Sequence, residues 1–463
     1  MKRFASDYLR QWKTKLNRKP LIIRGARQVG KTGLVRMFAD EAFENLVEIN
    51  FDETSSKRSL FRSEDIQEIL RLVEIDLDCA ITPGNTLLFL DEIQAAPELI
   101  AKLRYFHEKL PSLHIVCAGS LFDFVLADHQ FSMPVGRVEY LFLGPMSFEE
   151  FLLANDAGRL HSYINGYDLF NTIPEPIHEK LQRQLKEYLV LGGMPGVLKA
   201  YFSSGKDFCA AGQEQQSILQ TCHEDFAKYK ERTNVALLQR VYNDLPAHIG
   251  NTIKYAAINR ETKAASIRKA LEMLEKARLI YRVSHSFGNG IPLRAEKNES
   301  RFKILFLDIG LLNASWGLKL TDFVYLEDYV SVKSGAAAEQ FIGQHLLYRG
   351  APYETPELFF WNRHKKGASS EVDYLIQENA VVVPVEVKSG KTGSLKSLHM
   401  FVNEKSFPEI PITMRFNADT PSIVRAKTSI ASKEPKDFAL LSLPAYLVGQ
   451  SSRLLKQAME ELQ

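Results

Sequence analysis

The feature that most constrains this chain is the run from Leu21 to Thr32, Leu-Ile-Ile-Arg-Gly-Ala-Arg-Gln-Val-Gly-Lys-Thr, followed by an amphipathic stretch through Phe38. It reads as a short apolar strand, a glycine loop and the start of a helix, the order in which a Walker A loop is built. Gly25 and Gly30 let the backbone wrap a polyphosphate, with amides from Ala26, Arg27, Gln28 and Val29 and the positive end of the helix dipole at Gly33. Lys31 is the ammonium aimed at the β- and γ-phosphates, and Thr32 offers its hydroxyl to Mg²⁺. ATP and Mg²⁺ are therefore the expected cofactors. Such a start commits the first segment to an α/β domain with a mainly parallel sheet.

Three further apolar runs supply strands for that sheet: Leu46 to Asn50, Leu87 to Leu90 and His114 to Ala118. Their near-continuous apolar character is that of strands covered by helices on both faces. The second ends in Asp91-Glu92, two carboxylates at the carboxyl end of a strand, where ligands sit in open α/β sheets. This is a Walker B pattern, with Asp91 expected to hold Mg²⁺ and Glu92 to polarise the attacking water. His114 to Ala118 runs into Gly119-Ser120, so Ser120 is expected to orient the water or contact the γ-phosphate, or else simply to close a turn.

The rhythm lapses in a polar stretch from Ser162 to Glu179 and changes again near Ser331 to Gly335, which suggests three segments, 1–165, 178–325 and 335–463. Length and composition agree: 463 residues suffice for about three domains, and 45% hydrophobic with 25% charged residues excludes long disorder, collagen-like repeats and rods. No apolar run approaches the ~18 residues of a membrane span, and the basic first residues lack an apolar signal core, so no membrane partner is expected. Four scattered cysteines without a CxxC pair suggest neither a zinc ribbon nor a disulfide framework, and a cytoplasmic location is expected.

The 58 basic and 56 acidic side chains nearly cancel, so a nucleic-acid reading must rest on clustering. Phe226 to Lys303 holds sixteen Lys/Arg against seven Asp/Glu. Ile267, Ala270, Leu271, Leu274 and Ala277 recur there at helical spacing, and a β-prone run from Leu279 to Val283 follows, a helix-then-strand order that suggests a winged helix. Arg268, Lys269, Lys276 and Arg278 on that helix are candidate DNA-phosphate contacts. Protein docking is the competing use of such a module.

In the last segment Val372 to Ile376, a polar turn at Gln377 to Asn379, and Val381 to Ser389 read as a hairpin. Glu386 and Lys388 share a face, pairing brings Asp373 beside Glu386, and Ser334 to Tyr348 reads as a helix bearing Glu339. The order of helix glutamate, strand aspartate and ExK resembles the active-site pattern of restriction-type nucleases. In that pattern Asp373, Glu386 and Glu339 hold Mg²⁺ and Lys388 is catalytic.

RKPLIIRGARQVGKT, LLFLDEIQ, AGS, GRVEYLFLGPMSFEEF, LGGMPGVL, RFKILFLDIGLL, EVDYLI and VPVEVKSG together resemble bacterial and archaeal AAA-type ATPases with a C-terminal domain of unknown function. The resemblance implies an additional-strand P-loop fold, then a helical and winged-helix region, then a restriction-endonuclease-like α/β end. It also matches the arginine of the GR motif to Arg137, which acting in trans on a neighbour's γ-phosphate would require a homo-oligomer. The expected function is a Mg²⁺-dependent ATPase whose nucleotide state rearranges a DNA-binding, nuclease-like C-terminal half. The alternative is a nucleotide-gated signalling or scaffold protein whose C-terminal half binds protein and cleaves nothing.

Overall fold

The computed structural model describes residues 1–120, 122–127, 136–230, 232–258, 262–320, 334–363, 370–406, 410–431 and 433–462. Part of the change of pattern expected near Ser331 to Gly335 thus lies outside the described residues. The chain divides into two units, the first comprising 1–145 with the short segments 276–279 and 350–356, the second 146–275, 280–349 and 357–463.

Unit one is built on five parallel strands: β1 (Leu21–Arg24), β2 (Asn45–Asn50), β3 (Thr86–Asp91), β4 (His114–Gly119) and β5 (Glu139–Phe142), in the order β2-β3-β4-β1-β5. β4 is thus inserted between β1 and the Walker B strand β3, the additional-strand arrangement that the resemblance implied. β3 and β4 are buried along their whole length, which is why their sequences are almost unbroken apolar runs. Helices Ile66–Leu77 and Glu98–Lys109 cover one face, packing Ile69, Val73, Leu103 and Phe106 with Leu88, Leu90, Ile115 and Cys117. Helix Lys31–Ala42 buries Leu34, Val35, Phe38 and Ala39 along one stripe.

Unit two is helical over most of its first half and then forms an eight-stranded mixed sheet. Its strands are β6 (Ile280–Ser286), β7 (Lys297–Phe306), β8 (Leu358–Asn362), β9 (Glu371–Glu378), β10 (Val381–Val387), β11 (Ile412–Asn417), β12 (Ser422–Lys427) and β13 (Asp437–Pro444). Their order is β12-β13-β11-β10-β9-β8-β6-β7. Helix Ala264–Lys276 forms as its apolar spacing predicts, burying Ile267, Ala270, Leu271 and Leu274. The hairpin after it is no free wing. β6 pairs in parallel with β8, Ser284 opposite Phe359, so β6 and the edge strand β7 belong to the same sheet that carries the C-terminal hairpin. The cause is burial, since Phe302 and Ile304 of β7 need a core to enter.

The β9–β10 hairpin forms with Tyr374 opposite Val385, around a turn at Asn379-Ala380, both at positive φ. Val372, Leu375 and Trp361 pack there against Leu398 and Phe401 of helix Lys396–Glu404. The far edge strand β12 is mostly exposed and carries Arg425 and Lys427, charges that discourage edge-to-edge pairing.

Candidate functional site

In unit one, β1 delivers the loop at the carboxyl edge of the sheet. A side chain at Gly25 would meet the Leu143 carbonyl at 2.3 Å, and Gly30 turns the chain into helix Lys31–Ala42 at φ 90°, so both glycines are required by the backbone path. Lys31 is buried and curls over its own loop, donating to the carbonyls of Ala26 at 2.8 Å and Gly25 at 3.2 Å. Burial lowers its ammonium from the ordinary lysine value to about 8, against the pull of Glu92 and Asp91.

Thr32 Oγ1 donates to Asp91 Oδ2 at 2.7 Å, so the two residues expected to hold Mg²⁺ are in contact. Burial pushes the Asp91 carboxyl up, partly offset by that hydrogen bond. Among this chain's side chains, this hydroxyl and carboxylate pair is a hard-oxygen donor set suited to Mg²⁺ beside the phosphates. Glu92 sits at φ 49° at the end of β3, where its carboxylate accepts from Gln94 and, at 3.3 Å, from Ser120 Oγ. Arg27 Nε reaches Ser120 Oγ at 3.4 Å, and its guanidinium lies 3.5 Å from Asp52. Arg27, Ser120 and Glu92 thus form a hydrogen-bonded chain across the loop, β4 and β3. Arg137 is a half-exposed side chain 3.0 Å from Glu108 Oε1.

Sequence reasoning missed the pair of arginines beneath this edge. Arg24, next to the loop, and Arg278 both bond Asp123, the latter at 3.0 Å, and both guanidiniums stand over Phe142. Burial, then the neighbouring Arg278, lowers the Arg24 guanidinium to about 10. Arg278 was expected on a DNA-facing surface. It is instead buried, because it sits at φ 58° beyond the helix end with its charge taken up by Asp123. Arg268 is exposed and paired with Glu272 at 2.9 Å, Lys269 is exposed, and Lys276 is partly covered. Lys269 also lines a groove of about 510 Å³ with Arg240, Ser266 and Asn234.

In unit two the sheet and helix Ser334–Leu347 bring Glu339, Asp373, Glu386 and Lys388 together as expected. Asp373 Oδ2 accepts from the Val387 amide at 2.8 Å, and Lys388 Nζ lies 2.6 Å from Glu386 Oε1. A residue that had not been considered occupies the centre. Lys303 of β7, 2% exposed, places its ammonium 2.6 Å from Glu371, 3.2 Å from Glu339 and 3.6 Å from Asp373. Burial alone would lower it, but Glu339, Asp373 and Glu371 outweigh that and raise it well above the ordinary lysine value. Burial pushes the carboxyls of Glu339 and Glu386 up, so protons complete the neutralisation that the two lysines begin. The metal expected on Glu339, Asp373 and Glu386 does not fit this arrangement: a cation of the chain itself stands among the carboxylates. Among the described residues no three His, Cys, Asp or Glu side chains are arranged to hold a metal ion. A lone lysine in the apolar run Phe302 to Phe306 was the available signal, but its carboxylate partners lie on two other elements, helix Ser334–Leu347 and β9.

Residues 17–152 match the family described as AAA domain, and residues 182–322 and 334–428 match two domains of unknown function, DUF8612 and DUF4143. With the loop geometry, the first match makes unit one an AAA-type P-loop domain. No curated protein sequence matches the chain. Among solved structures it is similar to a Walker-type ATPase of Pyrococcus abyssi, at 18% identity over 67% of this chain and 94% of that one, TM-score 0.41. It is also similar to the Aeropyrum pernix ORC2 protein in ADPNP–ADP complexes, at 13% identity over 69% and 94%, TM-score 0.35. A third is Thermotoga maritima RuvB, at 13% identity over 60% and 88%, TM-score 0.29. No helix among the described residues is long and apolar enough to cross a membrane.

Proposed function

We propose that unit one hydrolyses ATP with Mg²⁺, and the observation that carries this reading is the 2.7 Å hydrogen bond joining Thr32 of the loop to Asp91 of the Walker B strand. Amides of residues 25–33 bind the phosphates, and Lys31 leaves the Gly25 and Ala26 carbonyls to bond the β- and γ-oxygens. Mg²⁺, held by Thr32 and Asp91 when bound, supplies Lewis-acid stabilisation of the phosphate charge. Glu92 orients and deprotonates the attacking water once it is released from Gln94 and Ser120, and Ser120 then remains beside the γ-phosphate. Arg137, on the surface beside Glu108, is free of the loop and suited to act on a neighbouring copy.

The test is Glu92→Gln. The amide fills the same space but takes up no proton, so the variant should retain ATP while single-turnover hydrolysis slows about a hundredfold or more. Wild-type turnover in that variant would remove Glu92 from the mechanism, and unchanged nucleotide affinity in Lys31→Ala would sink the P-loop reading itself.

A second reading concerns unit two. The groove lined by Arg240 and Lys269, in a segment with a basic excess, favours contact with a polyanion such as DNA. Turnover measured with and without single- and double-stranded DNA separates this from protein docking: stimulation that fades with salt supports DNA, and indifference supports a signalling or scaffold role.

A further inference from the structure

Unit two gathers four carboxylates, Glu339, Glu371, Asp373 and Glu386, from helix Ser334–Leu347, β9 and β10, and the position between three of them is already taken. Lys303 enters from β7, a strand that the C-terminal hairpin reaches through β8 and β6. Its ammonium has Glu371, Glu339 and Asp373 at 2.6, 3.2 and 3.6 Å, and the Phe360 ring, 5.6 Å from centroid to nitrogen, adds its face.

Each carboxylate is also fixed from behind. For Glu371 and Asp373 the hold is direct, from the Thr252 hydroxyl at 2.6 Å and the Val387 amide at 2.8 Å, whereas at Glu339 it is the backbone carbonyl that accepts, from the Tyr374 hydroxyl at 2.8 Å, which fixes the helix that carries the side chain. The carboxyl groups of Glu339, Glu371 and Asp373 therefore converge on one point. Removing charge from such a buried set is costly, which keeps the ammonium in place. Mg²⁺ needs oxygen ligands at about 2.0–2.1 Å in near-octahedral array. An ammonium has three donors and no lone pair, so it can neutralise these carboxylates but cannot share them with a metal at the same point. Beside this set, Glu386 bonds Lys388 through one oxygen and keeps its other, buried oxygen without a hydrogen-bond partner.

We infer that Lys303 is the resident cation of this pocket, standing where a divalent metal would bind, and that the pocket is a structural lock with a latent metal site beneath it. Unit two in its native sequence then takes no Mg²⁺ or Mn²⁺ at these carboxylates and cleaves no phosphodiester there. Removing the ammonium exposes Glu339, Glu371 and Asp373 as a divalent-cation site.

The experiment titrates the full-length, nucleotide-free chain with Mn²⁺ and reads free metal by electron paramagnetic resonance. Wild type should show no Mn²⁺ uptake that Asp373→Asn removes. Lys303→Ala should gain one Mn²⁺ per chain, lost again when Asp373→Asn is added. A wild-type site that is sensitive to Asp373→Asn overturns the inference, as does a folded Lys303→Ala chain that gains no metal. Should Lys303→Ala unfold, Mn²⁺ should raise its midpoint by mass action and leave that of wild type unchanged. Failure of this rescue in both Lys303→Ala and the length-matched Lys303→Met is an equal refutation.

Discussion

Nucleotide affinity should fall as pH rises through about 8, because the free loop holds Lys31 as a partly discharged amine. The ammonium is buried and bonded to two carbonyls of its own loop, and burial has brought it down from 10.5 to about 8. Bound phosphates favour the charged form strongly, so binding above this value must take up a proton. With the free-state value at about 8, apparent Kd scales as one plus the ratio of neutral to charged lysine. That factor is about 1.1 at pH 7 and about 11 at pH 9, a tenfold weakening or about 1.4 kcal/mol. The phosphates themselves do not add to it, since their last pKa lies near ~6 and they are fully ionised across the window. The sign is fixed: affinity is complete below about pH 8 and declines above it. The assay is equilibrium titration with a fluorescent ADP analogue between pH 7 and 9, alongside Lys31→Arg, whose guanidinium stays charged and whose affinity, though lower, should be flat. A flat wild-type profile would refute the claim that burial controls this lysine.

Asp123→Ala should destabilise unit one by about 3 kcal/mol in urea unfolding, since it strands the buried Arg24 and Arg278 together; a loss below about 1 kcal/mol would show that Phe142 and solvent carry those charges. His345 is largely covered, accepts from the Phe148 amide at 2.9 Å and meets the Phe341 carbonyl at 2.8 Å, so it is held neutral with its value lowered to about 4 by desolvation. Its stabilisation is present above the unfolded value of 6.5 and lost as pH falls towards about 4, up to about 3 kcal/mol, and His345→Gln should flatten that acid limb in a pH series of thermal melts. If DNA binds, replacing Arg268 and Lys269 together should lower both affinity and the salt slope, read by fluorescence anisotropy at several salt concentrations; an unchanged slope places the contact elsewhere.

What was legible in the sequence follows from how locally each feature is determined. The loop, β1, β3 and β4 were readable because phosphate chemistry fixes Gly25, Gly30, Lys31 and Thr32 within eight positions and because central strands must be apolar throughout. β5 escaped notice: Glu139-Tyr-Leu-Phe142 is a half-exposed edge strand, and its place beside β1 is a matter of topology. The C-terminal hairpin was visible through its alternation, and its turn proved to be Asn379-Ala380, shorter than the polar stretch suggested. The motifs LGGMPGVL and FLDIGLL were legible as motifs but not as partners. Asp308 caps helix Ile309–Ser315 and accepts from the Gly193 amide at 2.7 Å, so the two are one packing joint separated by over a hundred residues.

The same distinction decides how the two acidic constellations should be understood. At the P-loop, Asp91 meets a hydroxyl and Glu92 meets Ser120 and Gln94, neutral groups that release a carboxylate at little cost when a ligand arrives. At the hairpin, Asp373, Glu339 and Glu371 meet a buried ammonium, and withdrawing it would leave charges unpaired in a low-dielectric interior. Similar residue types in similar strand-end positions therefore carry opposite consequences, and the difference lies in one lysine from a strand that the sequence places seventy residues away from Asp373. A site poised for turnover keeps its carboxylates on exchangeable partners. By that criterion the P-loop edge of unit one has the arrangement suited to turnover, whereas the carboxyl cluster of unit two is held in shape by its own internal charge.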